Sequence, residues 1–357
     1  MDIRTLWNLF LYAGVEKEEY HNLLPSIREQ NRALLKVFSQ IAAVMFFLLY
    51  IASMVTNGFA TENSTTYMVC AVEMLAILFC VHFILPKHPA LVMLMVYIFE
   101  FLLYAFSFRV SLLHAERPAV SAVAFLLVSP LLFYDRPVRL SALIAVVVAL
   151  FCGIVLRLKT PDVAESDVWN MITFGLLAIA VTVFTMSTKI QALSRAGQVQ
   201  YLSQTDLLTG VKNRNYYEER LQSYLELSAS NLICVYADVN GLHEMNNRYG
   251  HPAGDRMLRE VAETMQRHFG HEHTYRVGGD EFIAFRVDGE PEDLALEIGR
   301  MKQALDQKGY HVSFGSALRE KDGEEMNMRE LVGEAESNMF AAKREFYMQS
   351  GNDRRGR

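Results

Sequence analysis

Four carboxylates, a lysine and an amide are the residues of this chain whose types and spacing could do chemistry. Asp238 closes LICVYADV (232–239), a short apolar run rich in β formers. Asp280 and Glu281 sit in RVGGDEFIAF (276–285), at the tip expected between two strand-like runs, HTYRV and EFIAFRV. If the strand end faces that tip, the three side chains make an oxygen-rich cluster. Hard cations such as Mg²⁺ take such donors and keep waters and substrate phosphates as the rest of their shell. Gly278 and Gly279 let a nucleotide approach the hairpin backbone without a side-chain clash. Gly241 opens the turn after Asp238, where main-chain N–H groups could meet phosphate oxygens. Asn246, a donor and acceptor, and Asp255, with two acceptors, suit the hydrogen-bonding edge of guanine. Lys343 could bring a positive charge to a triphosphate. Each residue alone has an ordinary role: strand-end carboxylate, turn or cap residue, surface lysine, solvated acidic tip. Their joint occurrence in one region points to nucleotide chemistry.

The elements that must position these residues alternate between strand and helix. Met257, Leu258, Val261, Ala262 and Met265 mark one helical face, 292–306 and 327–347 read as further helices, and HVSFGSAL (311–318) reads as a strand. This is a single α/β domain. It follows a connector, 189–204, in which Ile190, Leu193 and Leu202 give a broken heptad-like seam suited to a two-stranded helical dimer.

What precedes the connector is different in kind. The chain has 357 residues, yet residues 37–188 hold only 7 Lys+Arg and 8 Asp+Glu, against 22 and 27 in residues 189–357. A bilayer core of about 30 Å needs about 20 apolar residues per helix. Candidate spans are 37–57, 66–85, 89–109, 119–134, 138–157 and 167–188, of which the fourth is short and carries Pro130. Residues 1–36 hold five Lys+Arg and the 58–65 loop none, so the N-terminus is expected on the cytosolic side and that loop outside. Six spans then place the C-terminal domain in the cytosol; five would place it outside. Within 1–36, Leu6, Trp7, Phe10 and Leu11 share a face as in an interfacial helix, and a break is expected at Pro25. The four cysteines lack metal-ligand spacing and read as small buried hydrophobes. Glu73, His82 and Glu100 fall in or near spans, where a charged group needs a partner or a cavity; they mark either a stimulus site or helix-to-helix hydrogen bonding.

The C-terminal half resembles the GGDEF family of diguanylate cyclases. TDLLTGVKNR (205–214) is similar to the family's opening motif, Asp238 through YGHPAGD to its central block, RVGGDEF to its signature, and AESNMFAAK (335–343) to its C-terminal helix motif. The resemblance implies a sheet related to nucleotide cyclase and polymerase palm domains, and condensation of two GTP into cyclic di-GMP with release of pyrophosphate. It implies that Asp238, Asp280, Glu281 and the Val239 carbonyl hold Mg²⁺, with Mn²⁺ as an alternative, and that Asp280 and Glu281 are catalytic. Asn246 and Asp255 would read guanine, Lys343 would contact phosphates, and Gly278, Gly279 and His243 complete the substrate-binding set. His243 stands where Lys is common, Asn247 where Asp is commoner, and Tyr347 where many members have Arg. Phe269 and Glu272 occupy the family's RxxD inhibitory positions, so no feedback inhibition is expected there.

The expected protein is therefore an all-α transmembrane bundle followed by an α/β GGDEF domain. Its parts are a juxtamembrane segment (1–36), a six-helix sensory domain (37–188), a connector (189–204) and the catalytic domain (205–350). It would be a multi-pass protein of the inner or plasma membrane with a cytoplasmic catalytic domain, homodimeric through connector and GGDEF domains. It would bind GTP, the lipid bilayer and an unidentified stimulus ligand, and no nucleic acid. The rival reading is a non-catalytic sensor of GTP or cyclic di-GMP coupled to a membrane effector. A transporter with a regulatory tail fits less well, because short loops and few intramembrane charges mark no substrate path.

Overall fold

The computed structural model describes residues 2–55, 62–321 and 327–349. It contains two compact units, Met1–Ala196 and Gly197–Arg357. The expected outward loop 58–65 lies partly, and the polar tail 351–357 wholly, outside the described residues.

The first unit is helical: α1 (Ile3–Tyr12), α2 (Lys17–Val55), α3 (Ser64–Phe83), α4 (Val92–Leu112), α5 (Val120–Val128), α6 (Pro137–Leu158) and α7 (Pro161–Gln204). Among the described residues, five helical stretches are long and apolar enough to cross a membrane. They contain the expected spans except the fourth and the last residues of the second, and residues 56–57 of the first lie outside the described residues. The fourth shrinks to α5 and a 3₁₀ turn, Ser129–Leu131. Helix of that length reaches about 18 Å, short of a bilayer core. The chain nevertheless reaches the opposite end of the unit between Ala119 and Asp135. At one end Ala119 N–H donates to Asp167 (2.9 Å) and Lys159 Nζ donates to both Asp167 and the Arg117 carbonyl (2.6 Å each). At the other, Asn31 exchanges two 2.8 Å hydrogen bonds with the Tyr134 backbone, and Lys189 Nζ donates to Leu131 O (2.6 Å). Residues 12–31 and 189–194 thus share the end occupied by 131–136.

Two expectations about the flanks fail. Helix α2 does not break at Pro25, which lies inside it. Proline removes one backbone bond, and the fully buried Tyr20 and Ile27 hold the helix on either side. Nor do Ile190 and Leu193 form an open seam. Ile190 is fully buried against Ala13, Val15, Tyr20 and Ile27, with Leu193 packed beside it. Further along α7, Val199 and Leu202 are exposed. Of the charged groups in the spans, Glu100 is buried beside Tyr104 and Ser129. Glu73 lines a groove of about 300 Å³ with Arg109, and His82 is exposed.

The second unit is built on a five-stranded mixed sheet. Its strands are β1 (Lys212–Asn213), β2 (Asn231–Asn240), β3 (Thr274–Arg276), β4 (Glu281–Val287) and β5 (His311–Glu320), in the order β1-β3-β4-β2-β5. Among the described residues, only the β1–β3 pair is parallel. Its helices are α8 (Arg214–Arg220), α9 (Tyr224–Leu227), α10 (Leu242–Tyr249), α11 (His251–Phe269), α12 (Pro291–Asp306) and α13 (Met328–Gln349). Side chains alternate along β2, and both its faces are covered. Ile233, Val235, Ala237 and Val239 pack with Met257, Val261 and Met265 of α11 and Met301 and Leu305 of α12. Leu232, Cys234 and Tyr236 pack with Leu331, Ala335 and Met339 of α13. That second face carries the site.

Candidate functional site

The register of the central strands decides the geometry. Asp238 lies directly opposite Glu281 in the antiparallel β2–β4 pair, so both side chains leave the same face of the sheet. The Val239 N–H donates to the Asp280 carbonyl (3.0 Å), which fixes the hairpin tip against the end of β2. Lys343 comes from α13 across that face, its ammonium 2.7 Å from each oxygen of the Asp238 carboxylate. Strand end, acidic tip and lysine therefore meet.

The electrostatics show excess negative charge. Burial pushes the Asp238 carboxyl above its ordinary range, and Asp280 adds to this; the hydrogen bond and charge of Lys343 work against both. Burial and the charges of Asp238 and Asp280 also hold Glu281 above its usual range. The Lys343 pKa is raised: burial would lower it, but the bond to Asp238 and the nearby Asp280 charge more than offset that. A divalent cation would relieve the same repulsion, and carboxylate and carbonyl oxygens are the donors Mg²⁺ takes. Among the described residues, no three His, Cys, Asp or Glu side chains are already arranged as a metal cage. With Asp238 engaged by Lys343, the ammonium holds one of the places a cation would fill. The donors fit the metal in kind, and the β2–β4 register sets two of them, Asp238 and Glu281, on one face.

The glycines divide the work. A Cβ on Gly278 would meet Glu281 Oε2 at 2.5 Å and its Cβ at 3.2 Å, so Gly278 leaves room for the Glu281 side chain. A Cβ on Gly279 would meet nothing within 4 Å, so Gly279 is the position open to a ligand. Gly241 has φ +73°, a conformation that favours glycine, and it turns β2 directly into α10. Helix α10 carries Asn246 and the exposed His243, and packs on α11, which carries the half-buried Asp255. Asn246 Oδ1 points at Gly254, where a Cβ would sit 2.1 Å away. That oxygen is buried with no hydrogen-bond partner. Asn247 is exposed on the same helix.

Two positioning residues escaped the reading of the sequence although both lie in its motifs. Arg276 donates to the Gly279 carbonyl (2.6 Å) and to Asp206 Oδ1 (3.0 Å). Asp206 also accepts from the Thr209 N–H (2.9 Å) and hydroxyl (2.6 Å). The opening motif thus braces the hairpin tip through one guanidinium. Burial would raise the Asp206 pKa, but the bonds from Thr209 and Arg276 more than offset it and hold the carboxyl below its ordinary range. A depressed carboxylate contributes stability above its unfolded pKa and loses it as pH falls through the folded value. Asp206→Asn is therefore expected to weaken the acid-side loss of stability of this unit, read as circular dichroism against pH. It should also loosen Gly279, read as faster amide exchange at the tip. An unchanged exchange rate there would rule the brace out.

At the RxxD positions, Phe269 is buried with the Arg286 guanidinium 5.0 Å from its ring centre. Glu272 pairs with Lys212 (3.1 Å) and accepts from the Tyr216 hydroxyl (3.3 Å).

Comparison with known proteins gives this arrangement a family. Residues 203–349 match the diguanylate cyclase, GGDEF domain family. A bifunctional diguanylate cyclase/cyclic di-GMP phosphodiesterase of Pseudomonas aeruginosa is 29% identical over 195 residues, 48% of this chain and 28% of that protein. A diguanylate cyclase of Shewanella oneidensis is 28% identical over 167 residues, 43% of this chain and 55% of its own length. The chain thus spans about half, or less, of these relatives. A solved microbial GGDEF domain with bis-(3′,5′)-cyclic di-GMP is 28% identical, with a TM-score of 0.37, over 41% of this chain and 94% of that one. Residues 203–349 are a GGDEF domain, preceded by helices long and apolar enough to span a membrane.

Proposed function

We propose that the GGDEF domain condenses two GTP molecules into cyclic di-GMP and pyrophosphate, under the control of the membrane unit. The observation that carries this is the convergence of Asp238, Glu281 and Lys343 on one face of the sheet, with Asp280 hooked to Val239.

Asp238, Asp280, Glu281 and the Val239 carbonyl would hold Mg²⁺ (or Mn²⁺). When bound, the metal supplies activation of a 3′-hydroxyl and offsets charge at the α-phosphate and the departing pyrophosphate. Lys343 exchanges its bond to Asp238 for the substrate's terminal phosphates. Asn246 turns its amide to the guanine edge, and Asp255 accepts from the same base. His243, exposed beside Asn246 on α10, extends the donor surface on the base side. Gly279 leaves the space through which the phosphates approach. Each domain holds one GTP, so the attacking 3′-oxygen of one nucleotide meets the α-phosphorus of the other only when two domains face each other. That is a positioning problem. A homodimer joined through residues 197–204 and the GGDEF faces solves it, and the membrane unit could grant or withhold that alignment on binding its stimulus. The shared end of residues 12–31 and 189–194 supports a cytoplasmic position for the domain.

The test is the purified full chain with GTP and Mg²⁺. Cyclic di-GMP and two pyrophosphates per product are expected; bound GTP without turnover would leave the sensor reading in place. One observation favours that second reading: Tyr347 stands where a second cation is common in the family, leaving Lys343 to both neutralise Asp238 and hold phosphate.

Product inhibition is expected to be absent. With Phe269 buried and Glu272 held by Lys212 and Tyr216, position 269 offers no guanidinium to grip a phosphodiester, and the nearby Arg286 is engaged by Glu297 and the His268 carbonyl. Initial rates at rising cyclic di-GMP, with Glu272→Ala alongside, check this; inhibition of the parent that Glu272→Ala relieves would contradict it.

A further inference from the structure

The first fifteen residues contain only two charges, Asp2 and Arg4. Within them α1 is short and apolar, and its residues divide into two groups. Leu9, Phe10, Leu11 and Tyr12 are half-covered by the rest of the first unit. Ile3, Leu6 and Trp7 are exposed, Trp7 at 60%. A soluble surface rarely presents three large apolar groups on one turn of helix without a use for them.

The position of α1 says what covers them. It packs against α6, whose apolar span begins at Pro137, and the Arg136 guanidinium just before that span lies 5.2 Å from the Tyr12 ring centre and 4.9 Å from that of Tyr20. Helix α1 therefore sits at the level where a spanning helix leaves the hydrocarbon. There an aromatic and aliphatic edge meets headgroups and the first acyl carbons. It continues the lipid-facing surface of the bundle, which on α2 begins with the exposed Val37 and Ile41.

We infer that α1 is a membrane-surface helix, with Ile3, Leu6 and Trp7 seated at the headgroup–acyl boundary of the leaflet beside residues 134–139. The partner is phospholipid of the same bilayer. The contact is chiefly apolar, since the helix offers a single cation. Its attachment to the rest of the unit is firm. Ala13 (φ +58°) and Gly14 (φ +84°) make a tight turn after α1, and Gln191 Nε2 donates to the Ala13 carbonyl (3.1 Å). A Cβ on Gly14 would meet Gln191 Nε2 at 2.6 Å, and Ser194 bonds Glu19 on the following helix. Lipid contact at α1 is thus held against the last turns of α7 within the first unit.

The chain has two tryptophans, Trp7 and Trp169. The exposed Trp169 lies near the start of α7, at the far end of the unit. In the full chain carrying Trp169→Phe, Trp7 is the sole indole emitter. Reconstituted in phosphatidylcholine/phosphatidylglycerol vesicles, it is expected to emit to the blue of its position in aqueous denaturant. Lipids brominated near the headgroup end of the chains should quench it more than lipids brominated at the chain ends, with little access for aqueous iodide. Efficient iodide quenching with no effect of brominated lipid would overturn the inference. So would shielding from both quenchers that disappears on dilution into lipid excess, because a second copy would then be the cover. A variant that swaps Ile3 and Leu6 for Ser while keeping Trp7 should lose the lipid quenching and gain iodide access. If it retains the parent's depth, the seat is not apolar and the inference also fails.

Discussion

Glu281→Gln should abolish cyclic di-GMP synthesis while leaving the apo domain at least as stable as the parent. The activity arm follows from charge. Glutamine keeps the shape and one oxygen but removes a negative charge from the proposed metal-holding cluster, and loss of one such electrostatic contact costs about 10²–10³ in kcat. The stability arm follows from the apo site. Burial and the charges of Asp238 and Asp280 push the Glu281 pKa up. A group raised on folding contributes stability below its unfolded pKa and loses it as pH rises through the folded value. At neutral pH the ionised Glu281 therefore works against the apo fold, and glutamine removes that conflict. Asp238→Ala should also abolish the proposed synthesis but move stability the other way. It strands the half-buried Lys343 ammonium, whose bonds to Asp238 are worth about 2 kcal/mol. Turnover at fixed GTP and Mg²⁺ paired with unfolding of the apo protein gives both readings. An active Glu281→Gln would sink the metal assignment, and equal destabilisation by the two variants would sink the electrostatic account.

The largest effect on stability should come from a residue without chemistry. Gly315 lies in the middle of β5, under α13. A Cβ there would be 2.0 Å from Met339 N and 2.3 Å from Ala335 O. Both are helix backbone, so no side chain can rotate away; the helix must lift. Overpacking of this kind costs about 3 kcal/mol, and α13 carries Lys343, so the site should be displaced as well. Gly315→Ala is expected to speed exchange of the most protected β2 amides about 100-fold, since those amides report opening of the whole unit. GTP turnover should fall with it. Gly279→Ala is the control: its Cβ meets nothing within 4 Å, so exchange should not change, while nucleotide affinity should fall if phosphates approach there. If Gly315→Ala leaves both exchange and turnover unaltered, sheet and helix do not approach as described.

Much of this protein could be read from its residues. The contrast in charge between residues 37–188 and 189–357 separates an apolar helical region from a charge-rich α/β domain, because hydrocarbon admits few charges. The alternation in LICVYADV and EFIAFRV gives buried strands, and the 3.6-residue spacing of Met257 to Met265 gives the helix beneath them. Asp280, Glu281 and Asp238 could be named because local sequence places them at strand ends. Tertiary structure alone decided the register that sets Asp238 opposite Glu281, since the pairing partner lies some forty residues away in the chain. It decided that Lys343 rests on Asp238, that Arg276 joins Asp206 to the hairpin tip, and that Gly315 lets α13 touch β5. It also took Ile190 out of the expected dimer seam and carried α2 through Pro25. Periodicity reports which side of an element is buried; what lies against that side, and at what distance, is set by the packing of residues far apart in sequence.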